Sequence, residues 1–135
     1  MMLIDEGLEL LDEAQCQVLL REGTIGRVGT TVGALPVILP VNYGYVDGDI
    51  VFCTGEGTKL RASRGGAVIA FEVDSYDIVD RRGWSVLAVG RAEVVTDESE
   101  RSALQELGIA PWADGNRSSF VRLRPEMLTG RRIVG

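Results

Sequence analysis

The segment from Ala34 to Leu60 constrains the fold of this chain more than any other, and it reads A-L-P-V-I-L-P-V-N-Y-G-Y-V-D-G-D-I-V-F-C-T-G-E-G-T-K-L. An apolar run over 35–46 leads into Asp47-Gly48, a dipeptide typical of two-residue hairpin turns. A second apolar run at 50–54 predicts the returning strand. Prolines at 36 and 40 each remove a ladder donor, so this part of the first strand is expected at an edge, a bulge or the rim of a barrel.

A glycine-rich loop follows this hairpin and ends in Thr58-Lys59. Lys59 is the single lysine of the chain, and the other thirteen cationic residues are arginines. Backbone N–H groups in such a loop, a hydroxyl and an ammonium together can cradle an anion, so we predict a phosphate-binding site here. The alternative is an ordinary surface lysine at a helix start, where the helix dipole mildly disfavours a cation.

The rest of the chain has the pattern of a mainly β protein. A helix is predicted at 9–21, capped by Asp12 and ended at Gly23, and another at 96–107 with its N-cap at Thr96. A helical turn is predicted at 60–64. Further strands are predicted at 24–31, 67–73, 83–95 and 120–124, with a short terminal piece at 131–134 after Pro125. About six strands with glycine and proline turns, and no alternation of strand with helix, predict one small antiparallel barrel spanning residues 1–135.

Composition excludes several classes of function. The net charge of −6 argues against nucleic-acid binding, which needs a basic face. The absence of histidine removes the Ser-His-Asp triad and most transition-metal sites, so we predict no metal. Two cysteines do not form a disulfide framework, and neither a signal peptide nor a membrane-spanning run is present. We therefore expect a soluble cytoplasmic protein.

Several short motifs, taken in order, resemble the pyridoxamine 5′-phosphate oxidase-related family, and within it the short actinobacterial flavin-binding branch. The motifs are P-V-I-L-P-V-N at 36–42, T-G-E-G-T-K-L at 54–60, A-F-E-V-D at 70–74, G-W-S-V at 83–86 and V-G-R-A-E at 89–93. The resemblance spans about residues 8–134 and lies in the order and spacing of these motifs.

This resemblance implies a six-stranded antiparallel split β-barrel with a few short helices, acting as a homodimer with flavin sites at the subunit interface. FMN is the implied cofactor, and the deazaflavin coenzyme is the alternative. The implied cofactor-binding residues are Pro40, Val41 and Asn42 along the isoalloxazine ring, Thr54, Thr58, Lys59 and Leu60 around the phosphate, and Trp84 and Trp112 in the cleft.

Three of these residues also have purely structural interpretations. Asn42 lies inside an apolar strand, where it could pair with the polar edge of a flavin or be satisfied by neighbouring backbone. Trp84 could stack near a ring or plug the end of the barrel. Trp112, in a proline-containing loop, could act as a cofactor lid or as interface packing.

The predicted function is a flavin-dependent oxidoreductase that transfers hydride to or from a small organic substrate. No residue is assigned a catalytic role, because the cofactor supplies this chemistry. The strand before the phosphate loop is neutral, and the chain lacks the histidine and basic residues that relatives use for pyridoxine. Vitamin B6 oxidation is therefore not expected. The alternative is a flavin carrier or sensor without turnover, and a haem protein is disfavoured because histidine is absent.

Overall fold

A computed structural model describes residues 2–5, 7–55, 67–109 and 118–133 of the chain. Eight strands and two helices lie in these ranges. They are β1 (Met2–Asp5), β2 (Leu8–Leu11), α1 (Glu13–Glu22), β3 (Ile25–Val32), β4 (Leu35–Val46), β5 (Asp49–Gly55), β6 (Ala67–Asp77), β7 (Arg82–Val94), α2 (Glu98–Glu106) and β8 (Ser118–Ile133).

Six of these strands close into an antiparallel ring in the order β3, β4, β5, β8, β7, β6. Pairing of β7 with β8 closes the ring. At residues 130–133, the edge of β8 that faces away from β7 pairs with β2, and β1 pairs in turn with β2. The inward faces of the strands carry the largest buried side chains, among them Phe52, Phe71 and Leu123. The predicted six-stranded split barrel is confirmed.

The first half of β4 forms the split in the barrel. β4 pairs with β3 from Leu35 to Asn42 and with β5 only from Tyr43 to Val46. In the part of the chain that the structure describes, the other edge of residues 35–42 has no strand partner. Pro36 and Pro40 lie in this unpaired stretch, where a missing N–H donor costs no ladder bond. The predicted edge position is confirmed.

The β4–β5 hairpin has the predicted turn. Asp47 and Gly48 both have positive φ angles, 52° and 86°. Positive φ at both central residues defines the turn type that matches the twist of a two-residue hairpin, and it explains the Asp-Gly pair.

Helix α1 begins later than predicted. Residues 8–11 form strand β2, paired with Gly130 to Ile133, instead of the first turn of the helix. Asp12 forms a capping box with Gln15, so the helix begins at Glu13 and ends before Gly23 as expected. A run of four residues is too short to distinguish a strand from a helical turn by periodicity, and the partner strand decides.

The C-terminal strand is longer than predicted. Pro125 was expected to end a strand near Arg124, but β8 continues to Ile133. The register against β7 shifts between Val89 and Gly90, where Met127 and Pro125 are the successive partners. Glu126 is therefore the extra residue of a β-bulge, and a bulge accommodates the missing N–H of the neighbouring proline.

Two other predicted boundaries move for the same reason, that cross-strand pairing extends regular structure into polar sequence. Residues 74–77 and Arg82 belong to β6 and β7, which leaves 78–81 as the turn.

Helix α2 begins one residue later than predicted. Its N-cap is Asp97 instead of Thr96, because the Asp97 side chain accepts a hydrogen bond from the Glu100 N–H.

Helix α1 closes one side of the barrel. It buries Cys16, Leu19 and Leu20. The Tyr43 hydroxyl donates a 2.7 Å hydrogen bond to the carbonyl of Leu20, and its ring packs edge-on against Phe71 at 4.8 Å between centroids. Burial raises the pKa of Tyr43 to about 12, so this hydroxyl keeps its proton and serves the packing of the helix.

Candidate functional site

The end of β5 presents a buried hydroxyl that lacks a hydrogen-bond partner among the described residues. Thr54 is 5% exposed, and its Oγ1 atom is shielded from water and unpaired there. Its cross-strand neighbour is Ser119 of β8, which is also buried. Buried hydroxyls are nearly always hydrogen-bonded, so an orphan at this position fits a ligand that supplies the missing partner.

The predicted anion loop follows Thr54 directly. Thr58, Lys59, Leu60 and Trp112 lie outside the described residues, so their part in the site stays a prediction, and so does the helical turn at 60–64. The described part of β5 brings the chain to this loop with a buried hydroxyl at the point of entry.

The second predicted segment, Pro40-Val41-Asn42, lies beside this strand end. Tyr43 of β4 pairs with Phe52 of β5, and Val41 and Thr54 each lie two residues beyond that pair, where β4 and β5 stop pairing. Val41 is buried in the core, Pro40 is exposed and Asn42 is half-buried. The structure thus brings the β4 segment and Thr54 together at the split of the barrel.

Trp84 lies elsewhere in the same chain. It is half-buried, packs against the main core and pairs across the sheet with Arg132. Thr54 pairs with Ser119, at the opposite end of β8, which makes a path of roughly 40 Å along the strand at about 3.3 Å per residue. Trp84 therefore lies far from Thr54 within the chain and is not brought together with it.

The outward face of the sheet carries a charged cluster that the sequence analysis did not identify. Arg27 Nη1 lies 3.2 Å from Glu72 Oε1 and 3.4 Å from Asp74 Oδ2. The cluster borders a surface trough of about 390 Å³ that Gly29, Ile38 and Ala70 also line. The sequence contains one indication of this cluster. Glu72 and Asp74 are two residues apart, which puts two carboxylates on the same face of a strand.

Glu72 has a pKa raised from 4.5 to about 7. Partial burial is the largest cause, followed by the hydrogen bond and the negative charge of Asp74, while Arg27 acts in the opposite direction. At neutral pH this side chain therefore titrates.

Glu72→Gln is expected to make stability less dependent on pH. Below the unfolded pKa of about 4.5 both states bind the proton, so the wild-type carboxyl costs nothing there. Between about 4.5 and 7 the unfolded state ionises while the folded state keeps its proton, so wild-type stability falls over this range and stays lower above pH 7. Because the side chain is 35% exposed, solvent screening reduces the effect to about 1 kcal/mol in favour of the variant at pH 8. Urea denaturation at pH 5 and pH 8 measures the difference.

Glu106→Gln, which removes an exposed carboxylate outside this cluster, is the matched control for the loss of one negative charge. An equal effect of Glu72→Gln at both pH values would contradict the raised pKa.

The same outward face exposes large apolar side chains. Ile38, in the split part of β4, is 71% exposed. Cross-strand pairing puts several others on this face: Ile25, Val68, Leu87 and Met127. Isolated exposed apolar residues are ordinary, whereas several on one face of neighbouring strands are typical of surfaces that bind a partner.

We also searched the described residues for metal ligands, reactive cysteines and membrane-spanning helices. No group of three or more His, Cys, Asp or Glu side chains there is arranged to hold a metal ion. Cys16 and Cys53 are both buried and form no disulfide, and burial raises the pKa of Cys16, which keeps its thiol protonated. No helix among the described residues is long and apolar enough to cross a membrane.

The fold and this strand-end site define the class of protein, a split β-barrel with an open seam between β4 and β5. The model of the pyridoxamine 5′-phosphate oxidase family matches residues 12–132. The chain belongs to the pyridoxamine 5′-phosphate oxidase family.

Individual relatives agree with this assignment. The uncharacterized protein Rv0080 of Mycobacterium tuberculosis is 36% identical over 129 residues, which cover 92% of this chain and 84% of that protein. The structure of the FAD binding protein from Mycobacterium smegmatis has a TM-score of 0.77 and 34% identity, and the match covers 93% of this chain and 99% of the other. The conserved protein of unknown function DIP1874 from Corynebacterium diphtheriae has a TM-score of 0.77 at 28% identity, with coverage of 95% and 99%.

Proposed function

We propose that this protein binds a flavin nucleotide at the split of the barrel and acts as an oxidoreductase on a small organic substrate. The observation that carries the proposal is the buried Thr54 hydroxyl without a described partner, immediately before the T-G-E-G-T-K-L segment. Family membership and the similarity to an FAD binding protein support the same ligand class.

The residues divide the cofactor between two segments of the hairpin. Thr54, Thr58, Lys59 and Leu60 would surround the phosphate, with Lys59 supplying the positive charge. Pro40, Val41 and Asn42 would lie along the ring system. Because the Val41 side chain is buried in the core, this segment would offer its backbone and the neighbouring side chains.

A bound flavin supplies hydride transfer, and the protein supplies binding, orientation and exclusion of water. The barrel suits this division of labour. Its buried core makes a rigid platform beneath the split, and the described residues there present hydroxyl, amide and backbone groups rather than a nucleophile.

A homodimer is part of this proposal. A second copy would cover the exposed apolar side chains of the outward face, of which Ile38 is the most exposed. A second subunit would also bring a Trp84 and the predicted Trp112 to a cofactor that Trp84 of the first subunit does not reach. A site shared between subunits needs the dimer for its completion.

The test is a titration of purified protein with FMN, FAD and the deazaflavin coenzyme, read by visible absorption and by sedimentation. We expect saturable binding of at least one of them by a dimer. Which of the three cofactors binds determines the half-reaction to assay. Protein that is colourless and binds none of the three would overturn the proposal.

The same loaded protein separates catalysis from carriage. With a reduced nicotinamide in excess as electron donor, we expect the bound cofactor to be reduced and then reoxidised by small organic acceptors in repeated turnover. Bound flavin that shows no turnover with any acceptor or nicotinamide donor would instead indicate a carrier or sensor.

A further inference from the structure

The opposite end of the barrel holds a second group of side chains, arranged in a row across four strands. Glu9 of β2 pairs with Arg132 of β8, Arg132 with Trp84 of β7, and Trp84 with Ser75 of β6. Side chains of directly paired residues lie on the same face, about 4.5–5.5 Å apart at Cβ. The row lies on the inward face, in line with the core residues Leu11, Val86 and Val73.

A cleft of about 370 Å³ opens beside this row. Its lining includes Ser75, Arg82, Trp84 and Arg132, together with Asp77. Asp77 is the one carboxylate in the lining, and its Oδ1 already accepts the backbone N–H groups of Val79 and Asp80. Two guanidinium groups therefore dominate the charge that faces a ligand.

Glu9 forms an ion pair with Arg132 on the side away from Trp84. The Glu9 side chain is only 10% exposed, and its Oε1 is 4.0 Å from Arg132 Nη1 and has no hydrogen-bond partner among the described residues. That distance is an ion pair but exceeds a hydrogen bond, so Glu9 attracts the guanidinium without satisfying its N–H donors. Arg132 is 40% exposed, which leaves those donors accessible from the cleft.

The indole beside Arg132 also lines the cleft. Trp84 is half-buried and packs against the main core, so only part of its ring faces the cleft. A planar ring can stack on the indole while an acidic group joined to that ring, directly or through a sugar, reaches the guanidinium. Aromatic stacking and a charge-assisted bidentate contact favour such a geometry.

We propose that this cleft binds a planar aromatic anion, with the ring on Trp84 and the acidic group on Arg132 and Arg82. The proposal shares Trp84 with the proposed flavin cleft, so the anion has two possible sources. One source is a free aromatic acid used as substrate. The other is the base and phosphate of a nucleotide cofactor. Both have the same recognition chemistry.

The test measures binding of nicotinate and AMP by isothermal titration calorimetry, with the uncharged nicotinamide and adenosine as matched ligands. We expect an acid to bind at least about tenfold more tightly than its neutral partner, because a charge-assisted contact is lost in the neutral ligand. Arg132→Gln should abolish this preference, and Arg82→Gln should weaken it. Arg124→Gln, which removes the same charge from the same strand away from the cleft, should leave it unchanged.

Two further measurements keep the result interpretable. The double variant Glu9→Gln/Arg132→Gln removes both charges of the pair, so it tests ligand binding without leaving a buried carboxylate unpaired. Competition with the best-binding flavin separates the sources: displacement assigns the cleft to the cofactor, and simultaneous binding assigns it to a free acid. Equal binding of acid and neutral ligand, no binding of either acid at millimolar concentration, or an unchanged preference in the double variant would each overturn the proposal. These outcomes are independent of Thr54 and Lys59, whose variants test the flavin proposal.

Discussion

Gly90→Ala is expected to destabilise the protein by about 3 kcal/mol or more. A Cβ atom at this position would lie 2.0 Å from the backbone oxygen of Arg124 and 3.1 Å from the backbone nitrogen of Glu126. Both neighbours are backbone atoms of the β8 bulge, so a side-chain rotation cannot relieve the overlap. The strands must separate instead, at the β7–β8 pairing that closes the barrel.

A chemical denaturation curve measures this effect, and a domain of this size has a total stability of only about 5–15 kcal/mol. Gly29→Ala is the matched control. Its added Cβ would meet the Ala70 side chain at 3.7 Å, an ordinary van der Waals distance, so its stability should change by less than about 1 kcal/mol. Equal stabilities for the two variants would show that the bulge adjusts freely.

Lys59→Ala is expected to lower flavin affinity at least about tenfold, or about 1.4 kcal/mol, while the fold stays intact. Lys59 is the only lysine in the chain, and the strand that precedes the predicted phosphate loop contributes no cation. Loss of the ammonium would leave the phosphate with hydroxyl and backbone donors alone. Titration with FMN measures the change.

Riboflavin, which lacks the phosphate, makes this experiment specific. Its affinity should be nearly the same for wild type and Lys59→Ala, because the predicted contact is with the phosphate. Arg124→Gln serves as the control for loss of one positive charge. Unchanged FMN affinity in Lys59→Ala would remove the phosphate cradle from the proposal, and an equal loss for riboflavin would indicate a structural role for the lysine.

Much of the candidate site could be predicted because its pieces are local in sequence. The hairpin turn follows from Asp47-Gly48, and the edge position of β4 follows from Pro36 and Pro40, since each depends on backbone properties of the residue itself. The placement of Pro40-Val41-Asn42 beside Thr54 follows from that hairpin.

Pairs of charges on different strands were not predictable in the same way. Strand alternation alone makes Glu72 an ordinary outward-facing residue, whereas in the structure Arg27 and Asp74 make it part of a cluster in which its pKa is raised. Arg27 is supplied by β3, and only the register of β3 against β6 puts it opposite Glu72. No periodicity in either segment contains that register.

The sequence by itself therefore determined the strand-rich character of the chain, its central hairpin and its family, because turn chemistry, hydrophobic alternation and motif order are local properties. Tertiary structure alone decided that residues 8–11 form a strand, that β8 passes through Pro125, and that Glu9, Arg132, Trp84 and Ser75 form one row. The physical reason is that a strand is completed by hydrogen bonds to a distant partner. Its boundaries and its neighbours depend on which partner the closed barrel supplies.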